Sequence, residues 1–461
     1  MALDRSPIIS QLQPGAALEV IPVTPDLINA SQTAPSANES KETPVDASNI
    51  TQPIPADLLN PFAPAPANPT QKGPRGILYD FNEGVRVKLP KGNWKVALKD
   101  VHAGNTLFLA DITEESMVAS ARKYYVPFSF EVIDNDSGEV VISHEMNLKN
   151  REVLVQFPVG TLGDSIAWFS YLERFRIKHD CKLTCVMSDL ISPLFEETYP
   201  QIRFITKEKV ESLNTYATYY IGLFFRGDVE NKQPADFRLV GLHKTAAYIL
   251  GVDTKESPPT VQSFDRTIPE KYVCIAVQSS TQCKYWNNPF GWRDVVKHLK
   301  AKGYRVLCID KSDTHGAGLT WNYIPHGAED FTGPHPLTER AALLQHAEMF
   351  IGVSSGLSWL AWACGTPVVM ISGMTHPINE FESPYRIHNT NVCNSCWNDG
   401  QIIFDHFDFL WCPRHKGTER QFECSRLITS EHVTRAIDRC IVDLNGELPE
   451  PELKAKSGLL K

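Results

Sequence analysis

No stretch of this sequence holds the ~18 consecutive apolar residues that a membrane-spanning helix needs, which excludes an integral helical membrane protein. Positive charge is not in excess either. Lys and Arg number 45 against 54 Asp and Glu, a formal charge of -9, whereas polyanion-binding chains ordinarily carry the opposite imbalance. Nucleic acid is therefore not an expected partner. The opening Met-Ala-Leu-Asp-Arg-Ser-Pro lacks a basic segment followed by an apolar one, so no secretory signal is read and the cytoplasm is the expected location. A Gly-x-Gly-x-x-Gly after a strand is also missing, which argues against a dinucleotide-dependent oxidoreductase. Residues 1–73 have no Cys, Trp or Tyr, and hold twelve of the 32 prolines. Such a segment buries too little apolar area to offset its ordering entropy, so a disordered tail is expected there, with Pro61-Phe-Ala-Pro-Ala-Pro66 as an extended linker. A short flexible end is expected over residues 446–461.

Between these ends the chain is 461 residues long in all and 42% hydrophobic, room for roughly three domains at about 150 residues each. Residues 74–150 alternate apolar and polar in short runs such as Trp94 to Leu98 and Tyr124 to Ile133, separated by turn formers such as Asp134-Asn-Asp-Ser-Gly138. A small antiparallel sheet or barrel is expected, with no catalytic constellation of its own and a docking or oligomerisation role. From residue 151 the pattern becomes buried strand, helix, buried strand, the signature of an α/β fold with parallel sheets. One Rossmann-like half is expected at 151–260 and a second at 261–445, with Val252 to Pro269 as linker and the cleft between them as the default ligand site.

Three strand ends carry chemistry. In Pro158-Val-Gly-Thr-Leu-Gly-Asp164 the glycines allow close backbone approach, and Asp164 is either a helix cap or a carboxylate facing the cleft, fit to serve as general base. In Gln278-Ser-Ser-Thr-Gln-Cys-Lys284, hydroxyls, amides and one lysine suit a diphosphate, although a lone surface lysine fits the same pattern. Ser354-Ser355-Gly356-Leu357-Ser358, between a strand and a helix, aims free N–H groups and a positive helix end at an anion, unless it is a plain tight turn. Separately, Cys393-Asn-Ser-Cys396 with Cys412 and Cys424 has the spacing of a closed four-thiolate structural metal site, over a finger at 391–426. Redox chemistry by the Cys-x2-Cys pair is the rival, and four sulfurs admit zinc or iron.

Together the Gly-Thr-Leu-Gly-Asp164 turn, the Ser-Ser-Gly-Leu-Ser358 turn with its trailing Gly365-Thr-Pro367, and the finger resemble the bacterial autotransporter heptosyltransferases over residues 75–445. The two turns alone are similar to those of the lipopolysaccharide heptosyltransferases, which lack the finger. The resemblance implies a GT-B fold of two Rossmann-like domains behind a β-rich module. It also implies transfer of heptose from ADP-heptose to serine hydroxyls of an autotransporter passenger domain in the bacterial cytoplasm. Asp164 would be the base. Thr161, Leu162, Gly163, Lys284, Ser354, Ser355, Gly356, Leu357 and Ser358 would line the substrate site. Cys393, Cys396, Cys412 and Cys424 would hold one structural iron, with zinc as the alternative, in a homo-oligomer forming a dodecameric ring. The lipopolysaccharide enzymes have Asp where Ser354 stands, so a divalent-metal contact from that acid is not expected. Displacement at an anomeric carbon in one in-line step would invert its configuration. Another GT-B nucleotide-sugar glycosyltransferase, such as a lipopolysaccharide heptosyltransferase, and a non-enzymatic binding scaffold are the alternative readings.

Overall fold

The computed structural model describes residues 21–22, 61–158, 162–225 and 231–446. Thr161, most of the expected tail and residues 447–461 lie outside the described residues. Two compact units emerge. The first, which includes residues 66–122 and 126–146, is all β. Its strands are β1 (Ile21–Pro22), β2 (Gln71–Lys72), β3 (Leu78–Asn82), β4 (Arg86–Leu89), β5 (Trp94–Asp100), β6 (Asn105–Ile112), β7 (Ser116–Ala119), β8 (Phe128–Asp134) and β9 (Val140–Glu145). One antiparallel sheet runs β1-β7-β4-β3-β2 and the other β6-β5-β8-β9. Trp94, Val96 and Leu98 on β5 and Phe128, Phe130 and Val132 on β8 are buried at period two, the alternation that made these strands legible. Strand β3 was not legible, because it buries a charge: Asp80 is fully enclosed and ion-paired to Arg86 of β4 at 2.7 Å. Removing one partner of such a pair costs about 3–5 kcal/mol.

The second unit holds both α/β halves. The first half contains β10 (Glu152–Gln156), α1 (Leu162–His179), β11 (Lys182–Val186), β12 (Ile202–Ile205), β13 (Ala217–Tyr220), α2 (Phe237–Val240) and α3 (Leu242–Leu250), with β13-β10-β11-β12 parallel. The second contains β14 (Tyr272–Ala276), α4 (Gly291–Ala301), β15 (Arg305–Cys308), the hairpin β16 (Thr314–Ala317) and β17 (Thr320–Tyr323), β18 (Glu329–Asp330), α5 (Leu337–His346), β19 (Phe350–Val353), α6 (Gly356–Ala363), β20 (Val368–Ile371), α7 (Glu423–Arg426) and α8 (Ser430–Leu444). Its sheet runs β18-β15-β14-β19-β20, again parallel. Val273, Ile275, Ile351 and Val369 from adjacent strands pack with Val295 and Leu299 of α4 and with Val433 and Ile437 of α8 in one core. In the linker, the Glu256 carboxylate accepts the Glu382 N–H at 3.0 Å and lies 3.0 Å from His243 Nε2, tying residues of both halves. Among the described residues no helix is long and apolar enough to cross a membrane.

One expectation needs correction. Residues 61–73 do not belong to a disordered tail. Ala63 is 5% exposed among Leu154, Val186, Ile205 and Val210 of the first half, and its N–H donates to the buried Gln156 Oε1 at 2.9 Å. The Phe62 ring lies edge-on to Tyr220 at 5.3 Å. Two side chains facing unsatisfied apolar sites outweigh the Pro-Ala composition around them. Deleting residues 1–58, which takes only the two-residue edge strand β1 from the described residues, is therefore expected to move the thermal midpoint little. Deleting 1–70 is expected to lower it by several degrees, since even 1 kcal/mol shifts a 150–250-residue domain by about 2–4 °C. Equal midpoints in a thermal scan would show that Phe62 and Ala63 hold nothing.

Candidate active site and metal centre

In a parallel sheet the ligand crevice lies beyond the carboxyl ends of the strands. All three chemistry-bearing segments sit there. Asp164 follows β10, the Lys284 segment follows β14, and Ser354 to Ser358 follows β19, the parallel neighbour of β14. Helix α1 begins at Leu162, so Asp164 lies inside its first turn rather than at the expected cap, half-buried. The two glycine turns abut. A methyl group on Gly163 would come within 3.0 Å of Trp359 Cδ1 and 3.3 Å of Gly356 Cα, and one on Gly356 within 3.0 Å of Leu162 Cβ. Glycine is needed at both places because backbone from one half closes directly on backbone from the other. Leu162 and Gly163, just before Asp164, are thereby brought against Gly356.

The serines of the second turn separate into two kinds. Ser354 Oγ donates to Glu380 Oε1 at 2.6 Å, and Glu380, buried, is ion-paired to Arg386 at 2.8 Å. A carboxylate therefore does stand at this turn, supplied by the loop after β20 instead of by position 354. Ser358, fully buried, donates its hydroxyl to the Val353 carbonyl at 2.6 Å. Both hydroxyls are committed to the protein. Ser355 differs: its Oγ is buried without a hydrogen-bond partner among the described residues, at the start of α6, where the first helical N–H groups have no intrahelical acceptor. An orphan hydroxyl beside open amides is what an anionic oxygen would satisfy. Thr375, 3% exposed, carries a second orphan hydroxyl on the loop after β20. It lies in the run Ser372-Gly-Met-Thr-His-Pro377, and only burial marks it out.

Lys284 ends a short 3-10 helix, Gln282–Lys284, with its Nζ 5.8 Å from the centre of the Phe404 ring. The loop that carries it is fixed from behind by Asp310, whose carboxylate accepts the N–H groups of Val277 (2.8 Å) and Gln278 (3.2 Å). Burial pushes that carboxyl up to about 6, while the two N–H groups pull the other way. Asp310 lies just past the end of β15 and belongs to no motif. Its function follows from the neighbouring strand end, which spacing along the chain does not reveal.

The finger has little regular structure beyond the 3-10 turn Cys396–Asn398 and helix α7. Its small core is Cys396, Phe404, Trp411 and Phe422 with Cys283 and Met374, and Cys393 and Cys412 pack on it. Burial and the neighbouring Cys393 push the Cys396 thiol up to about 12; burial pushes up Cys424 as well, with Cys396, Cys412, Cys283 and Cys393 adding to it. Thiols gathered around a core too small to hold a loop alone fit a thiolate metal centre, although the described residues whose ligand atoms all lie within 4.8 Å of one another are Cys393, His415 and Glu423 rather than the four cysteines. Arg414 Nη1 reaches Cys393 Sγ at 3.8 Å and Cys396 Sγ at 3.6 Å, a cation placed to offset thiolate charge. Cys393 also lies within 4.8 Å of ligand atoms of His415 and Glu423, which sequence spacing did not indicate. Glu423, however, is taken by Arg420 (2.6 Å) and by the Cys393 N–H (2.9 Å), so it clamps the loop.

Comparison with known proteins bears on this arrangement. The autotransporter heptosyltransferase BAHTCr of Citrobacter rodentium is 54% identical over 379 residues, 82% of this chain and 92% of the relative. The chain belongs to the autotransporter heptosyltransferase family. Two family models match within it: the N-terminal domain of glycosyltransferase TibC at residues 73–136, and glycosyltransferase family 9 (heptosyltransferase) at 229–401. TibC of Escherichia coli strain H10407 is 51% identical over 85% of this chain and 97% of its own. Its crystal structure, described as a bacterial iron-containing dodecameric glycosyltransferase, superposes with a TM-score of 0.80 over 83% of this chain and all of TibC, and a second TibC structure holds ADP-D-beta-D-heptose. This family member is thus a glycosyltransferase with the GT-B-type pair of α/β halves behind a β-rich module, as the motif resemblance implied. The family also contains BimC of Burkholderia thailandensis, 44% identical over 82% of this chain and described as inactive.

Proposed function

We propose that this chain transfers heptose from ADP-heptose to serine hydroxyls of an autotransporter passenger domain, in the bacterial cytoplasm and with inversion at the anomeric carbon. The observation that supports the reading is the contact of the Gly163 and Gly356 turns, one next in sequence to Asp164 and the other opening a helix beside an orphan hydroxyl. Asp164 takes the proton of the acceptor serine. That oxygen attacks the anomeric carbon, the bond to the diphosphate breaks, and ADP leaves with the electron pair. Lys284, Ser355 and the N–H groups of Gly356 and Leu357 meet the charge growing on the diphosphate, and donors already in place there avoid the cost of reorganising water. The cysteine set supports one iron per chain, with zinc as the alternative, and the relation to TibC supports a dodecameric ring.

Membership alone does not decide turnover in a family that includes BimC, so the test is direct. The protein is incubated with a passenger domain and either ADP-heptose or UDP-glucose, and the passenger is weighed. A gain of whole heptose units from ADP-heptose alone supports the reading. No gain on the passenger but transfer to a lipopolysaccharide core acceptor favours the related activity, and no transfer at all leaves a binding scaffold.

Lys284→Ala is expected to weaken ADP binding by about tenfold or more, the range of one charge-assisted contact of about 1.5–3 kcal/mol. Lys284→Arg is expected to restore only part, because a planar fork and a point charge differ in reach. Calorimetry measures both. An Ala variant that binds ADP as tightly as the parent removes Lys284 from the site.

A further inference from the structure

The metal finger does not stand apart from the nucleotide loops; it is wound onto them. The Gln282 N–H donates to the Phe409 carbonyl of the finger at 2.9 Å, and Phe404 lies under Lys284. On the other side, the N–H groups of Ser395 and Trp397 donate to the carbonyls of Gly373 and Met374 at 2.9 and 3.1 Å, on the loop that carries Thr375. Gly373 is pressed so closely on Cys424 that a methyl group there would lie 2.8 Å from the Cys424 backbone. Cys283 Sγ sits 3.0 Å from Met374 Sδ, joining the two loops under the finger.

Gln282 is where these contacts converge. It is 6% exposed, and both ends of its amide are used: Nε2 donates to Asn287 Oδ1 and Oε1 accepts from Asn322 Nδ2 of the hairpin, each at 2.8 Å. Its carbonyl accepts Asn287 Nδ2 at 3.1 Å. A buried amide held at both its nitrogen and its oxygen is fixed in one geometry, and it holds the short helix that ends in Lys284.

We propose that metal occupancy of the finger and nucleotide binding at Lys284 are thermodynamically coupled, with Gln282 as the positioning residue that carries the coupling. This rests on the donor-site reading of Lys284 above. A metal that draws the four thiols together fixes the loop bearing Phe404 and Phe409, and so fixes the helix bearing Lys284. The emptied finger releases both. Because linkage is reciprocal, ADP must then retain the metal by the same factor by which the metal tightens ADP.

The experiment uses the full-length, metal-loaded protein as purified. The protein is equilibrated with a graded excess of a strong chelator, with and without saturating ADP, and the metal left on the protein is measured by elemental analysis. ADP is expected to raise the chelator concentration at half-loss about fivefold or more, within the usual range of coupling between sites. In Gln282→Met, metal per chain is expected to match the parent without ADP, while ADP binds about tenfold more weakly and its protection of the metal falls below twofold. Direct calorimetry on the loaded protein separates the two readings. ADP that binds while half-loss stays unmoved overturns the coupling alone, and ADP that does not bind overturns the donor site and the coupling with it. Full protection in Gln282→Met removes Gln282 as the carrier. The parent arm needs no variant, so a Gln282→Met protein that fails to fold leaves the coupling tested.

Discussion

Asp164→Asn is expected to lower turnover by about two to four orders of magnitude, the range for loss of a positioned acid–base group, while ADP affinity stays within about twofold of the parent. The asymmetry follows from where the residue sits. Asp164 stands on the first half, in the first turn of α1 after β10, whereas the proposed diphosphate donors belong to the second half, after β14 and β19. The amide keeps the size of the side chain and its ability to accept a hydrogen bond but cannot take a proton, so folding is preserved and the acceptor hydroxyl remains unactivated. Single-turnover transfer with bound ADP-heptose reads the chemical step apart from release of product. A folded Asp164→Asn protein that turns over at the parent rate would end the assignment and move the search for a base to other groups in the crevice.

Cys412→Ser is expected to lose most of its metal and to unfold the finger at a temperature where the two sheets are intact. Structural thiolate sites contribute apparent binding free energies of about 10–16 kcal/mol, comparable with the whole stability of a domain at about 5–15 kcal/mol, and a core of four buried residues cannot replace that. Elemental analysis gives the first effect, and proteolysis within 391–426 against a protected remainder gives the second. Ferric iron on four thiolates absorbs in the visible range, so the parent should be coloured and the variant pale. A colourless parent with one zinc per chain would select the other metal. Full metal content in Cys412→Ser would mean that Cys412 is not a ligand, and would turn attention to His415, whose ring lies with Cys393 in the same cluster.

The sequence alone determined the architecture and which candidate residues fall at strand ends. Apolar runs of four or five residues alternating with helical periods can form only buried parallel strands with crossovers, and such sheets put their ligands at carboxyl strand ends, so Asp164, Lys284 and the 354–358 turn could be located from pattern. Cysteine spacing marked the finger because few other chemistries use four thiols at those intervals. Tertiary structure alone decided what each group is free to do. Ser354, Ser355 and Ser358 are indistinguishable as residue types, yet one hydroxyl is held by Glu380, one by Val353, and only Ser355 is left without a partner among the described residues. Hydrogen-bond commitments of this kind are made to residues distant in the chain. The same reason hid Asp310, Gln282 and the packed Phe62-Ala63 segment: a side chain's burial and partners depend on which strands lie beside it, and sequence periodicity records only that it faces inward or outward.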